Sequence, residues 1–315
     1  MLTHLLNPAI DLLVDTTRNL SLDSFRSQST LNPRAALATV KPNGAAPRFE
    51  AFVHDPTECR WISRLILSSG KFEAPLVGAI VKAVAHQNKS GERFLDIGAN
   101  LGMYLLSVAA ADMRAVAIEP LRYNTELLAA TAARGGFGHR LTVFKTAVAA
   151  TKSDESMCVI SHDRHGSGNK GNGQLAPMSE CTQAAAAAGG GGGGKKAAAA
   201  IEKVPINTVD SLLSRVDGLQ NTCFAALKVD VEGFEVPALM GAKSIFEGPC
   251  PPCLVVTEWV PYYNVTLLKG ANHSRNPLPL LQSHGYKCKR EASRHYECKN
   301  TRSARCLKGY GGLLV

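Results

Sequence analysis

Residues 94–102 read FLDIGANLG. Phe94, Leu95 and Ile97 surround the acid Asp96, and Gly98 and Gly102 are separated by Ala-Asn-Leu. A short apolar run of this kind predicts a strand buried on both faces. The two glycines then allow a tight turn that brings backbone amides close to a ligand, with a helix starting behind them. Asp96 and Asn100 stand at the same rim, one as an acceptor and one as an amide.

The pattern repeats outward from this stretch. RAVAIEP (114–120) and LTVFKTAVA (141–149) predict two more strands, with NTELLAATAAR (124–134) as the helix between them. Further on, NTVDSLLSRV reads as a helix, FAALKVDV as a strand, EVPALMGAKSIF as a helix and CLVVTEWV as a strand. LPLLQSHG gives a last helix, and YKCKRE and HYECK give two short strands. Apolar strands alternating with helices predict an α/β fold, a Rossmann-like, mostly parallel sheet with helices on both faces. Before residue 90 the chain is irregular, broken by Pro33, Pro42, Pro47 and Pro56, with one predicted helix over 72–87.

Ligands of such sheets lie beyond the carboxyl ends of the strands, where strand order reverses. Glu119 ends the second strand, 21 residues after Gly98. That is the spacing at which an acid grips ribose hydroxyls in nucleotide-binding α/β domains. The loop lacks the third glycine of the pyrophosphate fingerprint, so a cofactor with ribose and no pyrophosphate fits better, and S-adenosylmethionine is the candidate. In LKVDVEGFE (227–235), Lys228, Asp230 and Glu232 alternate with apolar residues at a strand end, where charge is costly unless it serves a ligand, metal or partner. A Lys228–Glu232 ion pair is the simpler structural reading. Glu258 ends the next strand beside Asp230. Two carboxylates facing one cleft suit a general base or a divalent cation such as magnesium. Asp230 is the candidate base or metal ligand and Glu258 its support, with Glu232 pointing away. His162, His165, His273 and His284 read as ordinary surface residues.

FLDIGANLGMYLL, AIEPLRYN, VPINTVDSLL, LKVDVEGFEVPALMGA and VVTEW together resemble the successive motifs of the FkbM-type methyltransferases, over about residues 92–290. The resemblance implies a class I methyltransferase-like fold and S-adenosylmethionine-dependent O-methylation of a hydroxyl on a sugar or small metabolite. It also implies that Asp96, Gly98, Asn100 and Gly102 line the cofactor, that Glu119 holds the ribose, and that Asn124 serves the second helix. The chain then divides into an irregular and helical extension, 1–90, and a methyltransferase domain, 91–315. Two readings of other classes stay open. A nicotinamide-dependent oxidoreductase would share Glu119 but needs the third glycine and a Tyr-Lys or His pair. A non-catalytic binding protein would keep the sheet without a working cleft.

Composition narrows the partners. The 315 residues are 45% hydrophobic, ample for a core, and no apolar run reaches the roughly 18 residues of a membrane span. MLTHLLNPAIDLLVD lacks a basic n-region, and Pro8 and Asp11 interrupt it, which disfavours a signal peptide and slightly favours an intracellular protein. The net charge is +9, with basic residues crowded after 286. Nucleic acid is a conceivable partner for them, but aromatic interleaving is absent and a solvated basic tail is simpler; a small-molecule or glycan acceptor is preferred. Residues 161–201, which include AAAAAGGGGGGKKAAAA (184–200), predict a disordered insertion. Nine cysteines, two of them in Cys250-Pro-Pro-Cys253, leave zinc and disulfides open, with free thiols as the default.

Overall fold

The computed structural model of the chain describes residues 35–43, 46–87, 91–161, 173–189, 201–259, 276–291 and 294–309. It opens with an antiparallel hairpin, β1 (Ala36–Val40) and β2 (Phe49–Val53). Helices Ile62–Ser69 and Ala74–Gln87 follow. The second helix is the one predicted over 72–87. The hairpin and the first helix were hidden by the prolines around them.

Three strands then lead outward in order: β3 (Arg93–Ile97), β4 (Ala115–Ile118) and β5 (Leu141–Phe144). The predicted strand 141–149 divides after β5. Its second half, β6 (Ala147–Val148), joins a separate sheet with β7 (Ser153–Ser161), β8 (Gly173–Pro177) and β9 (Ile201–Asn207), in the order β6-β9-β7-β8. Thr146 marks the divergence: its hydroxyl donates to Pro205 O at 2.9 Å and accepts from Asn207 Nδ2 at 2.9 Å.

The chain returns to the main sheet with β10 (Phe224–Val229), β11 (Leu254–Glu258), β12 (Tyr286–Arg290) and β13 (His295–Asn300). The completed order is β5-β4-β3-β10-β11-β13-β12. Neighbours are parallel except β13, which runs antiparallel to both β11 and β12. This is a class I methyltransferase-like sheet, and strand order reverses between β3 and β10. Side-chain alternation feeds two apolar layers. Leu95, Ile97, Val116, Leu227 and Val229 pack with Leu212 and Leu239 on one face. Phe94, Ala115, Ala117 and Ala226 pack with Ile80, Val84, Tyr104 and Leu105 on the other. The helix predicted over EVPALMGAKSIF is two, Glu235–Met240 and Lys243–Glu247, interrupted at Gly241. A Cβ at Gly241 would stand 2.2 Å from Ala149 O, so no larger residue fits there.

Two expectations need correction. Within 161–201, residues 173–189 are not a disordered loop: they form β8 and helix Met178–Gly189, while 162–172 and 190–200 lie outside the described residues. The turn-rich composition hid a strand that buries Leu175 against Val159, Val204, Ile206 and Phe234. The free-thiol default also fails. Cys158–Cys181, Cys223–Cys250, Cys253–Cys306 and Cys288–Cys298 are disulfides, and Cys59 alone is free and buried.

The basic C-terminal residues have local duties. Lys287, Lys289 and Arg290 lie on β12, the outermost strand, where charge blocks pairing with another chain. Lys289 pairs with Glu291 at 3.0 Å, and Arg305 pairs with the buried Glu92. Among the described residues no helix is long and apolar enough to cross a membrane.

Leu175→Ala should destabilise the protein by on the order of 2–3 kcal/mol, the cost of emptying a partly collapsible core site. Chemical denaturation reads this directly. A change within about 0.5 kcal/mol, the range of ordinary surface substitutions, would mean that β8 contributes nothing to the fold.

Candidate active site

The loops after β3 and β10 meet at the reversal of strand order. Gly98 has φ +81°, and a Cβ there would lie 1.9 Å from Asp230 O. Asp230 N donates to Ile97 O at 3.1 Å, and Lys228 Nζ donates to Gly98 O at 3.0 Å. Gly102, at φ +76°, faces Leu128, whose Cδ1 would stand 2.8 Å from an added Cβ. Above the junction opens a cleft of about 490 Å³, within the range of small-molecule sites. Gly98, Asn100, Glu119, Lys228, Asp230 and Glu258 line it. Asp96 and Gly102 do not; they support it from beneath and behind.

Backbone strain concentrates around this space. Among the described residues, Glu73, Asn100, Asp112 and Glu232 are the non-glycine residues with positive φ, and all but Asp112 line the cleft. Such conformations persist where surrounding structure enforces them, commonly at functional sites.

Glu119 is held by backbone and side chain together. Asn100 N donates to its Oε2 at 2.8 Å, Leu121 N to Oε1 at 3.0 Å, and Asn124 Nδ2 to Oε1 at 3.0 Å. Asn124 therefore orients the acid rather than serving only its own helix, Arg122–Arg134. Burial pushes the Glu119 carboxyl up to about 7, against the pull of those amides.

The opposite side gathers more acids than expected. Oxygens of Asp230, Glu235 and Glu258 lie within 4.8 Å of one another. Glu235 went unnoticed because in sequence it looks like a first-turn helix acid. Here its Oε1 accepts from Val231 N at 3.0 Å and Gly233 N at 3.1 Å. Lys228 does not pair with Glu232 as the alternation suggested. Its Nζ lies 3.3 Å from Asp230 Oδ2 and 3.6 Å from Asp96 Oδ1. Burial would lower the Lys228 pKa, but Asp230, Asp96 and Glu73 outweigh it and raise it. Arg294 meets Glu258 at 3.1 Å.

Farther out, Glu73 accepts from Tyr104 Oη at 2.7 Å and contacts His295 Nε2 at 3.2 Å. His295 opens β13, between β11 and β12, and Glu73 lies in a loop, so no local motif announced them. Trp61, 69% exposed, and Leu65, 47% exposed, form an apolar rim on the same cleft.

Asp96 is fully buried beneath the cleft, with Lys228 Nζ 3.6 Å from its Oδ1 as the nearby cation. The carboxyl groups that do line the cleft, among them Glu119, Asp230 and Glu258, are acceptors, a set that fits a ligand bearing hydroxyls and positive charge.

The sequence model of the Methyltransferase FkbM domain matches residues 96–288. No curated protein matches the chain. Among solved structures, the C-terminal domain of precorrin-6Y C5,15-methyltransferase from Rhodobacter capsulatus is 12% identical, with a TM-score of 0.37 over 73% of this chain and 90% of that one. An O-methyltransferase from Bacillus cereus in complex with SAH is 10% identical, with a TM-score of 0.37 over 79% of this chain and 92% of that one. Monomeric WbdD is 11% identical, with a TM-score of 0.39 over 76% of this chain, which spans only 44% of WbdD.

Four buried acids predict how stability varies with pH. Burial raises Asp96 to about 6, Glu119 and Glu235 to about 7, and Glu258 to about 9, the last helped by Asp230 and Glu232. An acid whose folded pKa is raised contributes stability below its unfolded pKa and loses it as pH climbs through the folded value, at about 1.4 kcal/mol per unit of displacement. The ligand-free protein should therefore melt at progressively lower temperature from about pH 5 to 9. A melting temperature that climbs steadily across that window would contradict these protonation states.

Proposed function

Because the chain belongs to the FkbM methyltransferase family, we propose that it transfers a methyl group from S-adenosylmethionine to a hydroxyl of a sugar or small metabolite. The observation that carries this reading is the arrangement of Gly98, Asn100 and Glu119 on one side of the cleft and Asp230 and Glu258 on the other. When bound, S-adenosylmethionine supplies an electrophilic methyl on a sulfonium.

Asn100 and Glu119 hold the ribose side, Gly98 keeps the floor open for close approach, and Asp96 acts from below through Lys228. Asp230 takes the acceptor proton, because a hydroxyl needs a base as it attacks and the carboxylate stands at the mouth of the central strand. Lys228 fixes that carboxylate, and Glu258 with Arg294 bounds the acceptor space. Much of the remaining gain is alignment. Trp61 and Leu65 offer an apolar surface for the body of the acceptor. The acids Glu73, Glu232 and Asp230 on the lining disfavour a polyanion, so nucleic acid fits poorly. The triad of Asp230, Glu235 and Glu258 supports a second reading, a divalent cation in place of a free base. The four disulfides support maturation in an oxidising compartment rather than a reducing cytosol.

Calorimetry should show S-adenosylmethionine binding, with NADH as the non-binding comparator. Transfer of labelled methyl to a panel of glycosides and hydroxylated small molecules then identifies acceptors. Asp230→Asn should keep cofactor affinity and lower turnover by roughly 100-fold or more. A chelator or added magnesium should change the wild-type rate only if a cation does the activating. Wild-type turnover in folded, cofactor-saturated Asp230→Asn would remove this residue from the mechanism.

A further inference from the structure

The β1–β2 hairpin lies outside the family-matched segment 96–288, yet its end contacts the residue that orients Glu119 on the cleft lining. His54 directly follows β2 and is 1% exposed. Its Nε2 lies 2.7 Å from Asn124 Oδ1, and Asn124 Nδ2 lies 3.0 Å from Glu119 Oε1. The direction of both bonds follows from chemistry. Both Glu119 oxygens already accept backbone N–H bonds, from Asn100 and Leu121, and in its ionised form the acid only accepts, so the Asn124 amide turns its NH₂ toward it. Its carbonyl oxygen then faces His54, and Nε2 must carry the proton. Reversing the amide would aim an oxygen at a carboxylate.

We propose that His54 is a positioning residue of the cofactor site, holding Asn124 so that Glu119 faces the ribose. The inference rests on Glu119 being the ribose acid. The hairpin is well fixed for the task. Phe52 N donates to Thr131 Oγ1 at 2.9 Å, Arg134 pairs with Glu50 at 2.6 Å, and the His54 ring packs on Tyr123 with centroids 4.7 Å apart. All three contacts fall on helix Arg122–Arg134, which also carries Asn124. A turn of that helix is therefore clamped between the hairpin and the acid. The benefit is specific to a buried carboxylate, because each oriented donor offsets part of its lost hydration. Burial already pushes Glu119 toward its neutral form, which makes a weakened donor costly for binding.

The test is S-adenosylhomocysteine titrated calorimetrically into the full chain. His54→Phe keeps a ring against Tyr123 but removes the donor, and should weaken binding about tenfold, the value of one hydrogen bond in a charged network. His54→Gln restores an N–H toward Asn124 and should return affinity to within about threefold of wild type, a residue of imperfect geometry. Nitrogen-15 spectra of the ligand-free wild type should show the His54 ring protonated at Nε2. Wild-type affinity in His54→Phe, or equal loss in the Phe and Gln variants, overturns the proposal. So does an Nδ1-protonated ring, which covers the case of a variant that fails to fold. Glu119→Ala separates the two layers. If it binds like wild type, the ribose assignment falls and the relay falls with it. If it loses affinity while His54→Phe does not, the relay alone is wrong.

Discussion

Everything in the cleft depends on one close approach, the contact between Gly98 and the backbone of Asp230. The distance of 1.9 Å from an ideal Cβ to Asp230 O excludes any side chain there. It lets the loops after β3 and β10 interlock instead of standing apart, with Lys228 bonded to the Gly98 carbonyl from below. The two halves of the site are thereby set at a fixed spacing by backbone alone, which is stiffer than any side-chain bridge. The acid at Asp96 follows from the same constraint. With the loops locked, its carboxylate has a buried ammonium as counterion and little else.

Charge balance gives the cleft its chemical character. Glu73, Glu119, Glu232, Asp230 and Glu258 line it, against Lys228 and Arg294. Burial favours the neutral forms of Glu119 and Glu258, so the ligand-free site is not a fixed anion. A cationic ligand would draw the protons off, while a neutral one would leave them in place. The site thus distinguishes ligands by charge through its own protonation as well as by shape.

The sheet was largely legible in the sequence because its strands are buried on both faces and so read as unbroken apolar runs. FLDIGANLG, AIEP and LKVDVEG sit at strand ends as their spacing suggested, and the family-matched segment agrees with that pattern. What could not be read was placement between distant parts. Glu73 and His295 come from segments without a motif, and only the tertiary fold brings them to the cleft and His54 to Asn124 behind it. Glu235 looked like a helix-start acid. Leu175 was masked by the glycine-rich run around it, because composition averages over a window and a single five-residue strand does not survive the averaging. The disulfides were illegible for a plainer reason: spacing along the chain says little about which of many pairings the fold permits.

The crosslinks are unevenly distributed, and this has a thermodynamic consequence. They close loops with sequence separations of 23, 27, 53 and 10 residues, all beyond residue 157. The denatured chain is consequently tethered on its C-terminal side and unrestrained from the hairpin through β5. Chain entropy lost on folding is therefore reduced for the side that carries Asp230 and Glu258 and undiminished for the side that carries Gly98 and Glu119. The crosslinks leave β3, β4 and the helices that flank them to noncovalent packing alone. A nucleoside bound there would act as the reversible counterpart of a crosslink, supplying to one half of the molecule a restraint that covalent bonds already give the other.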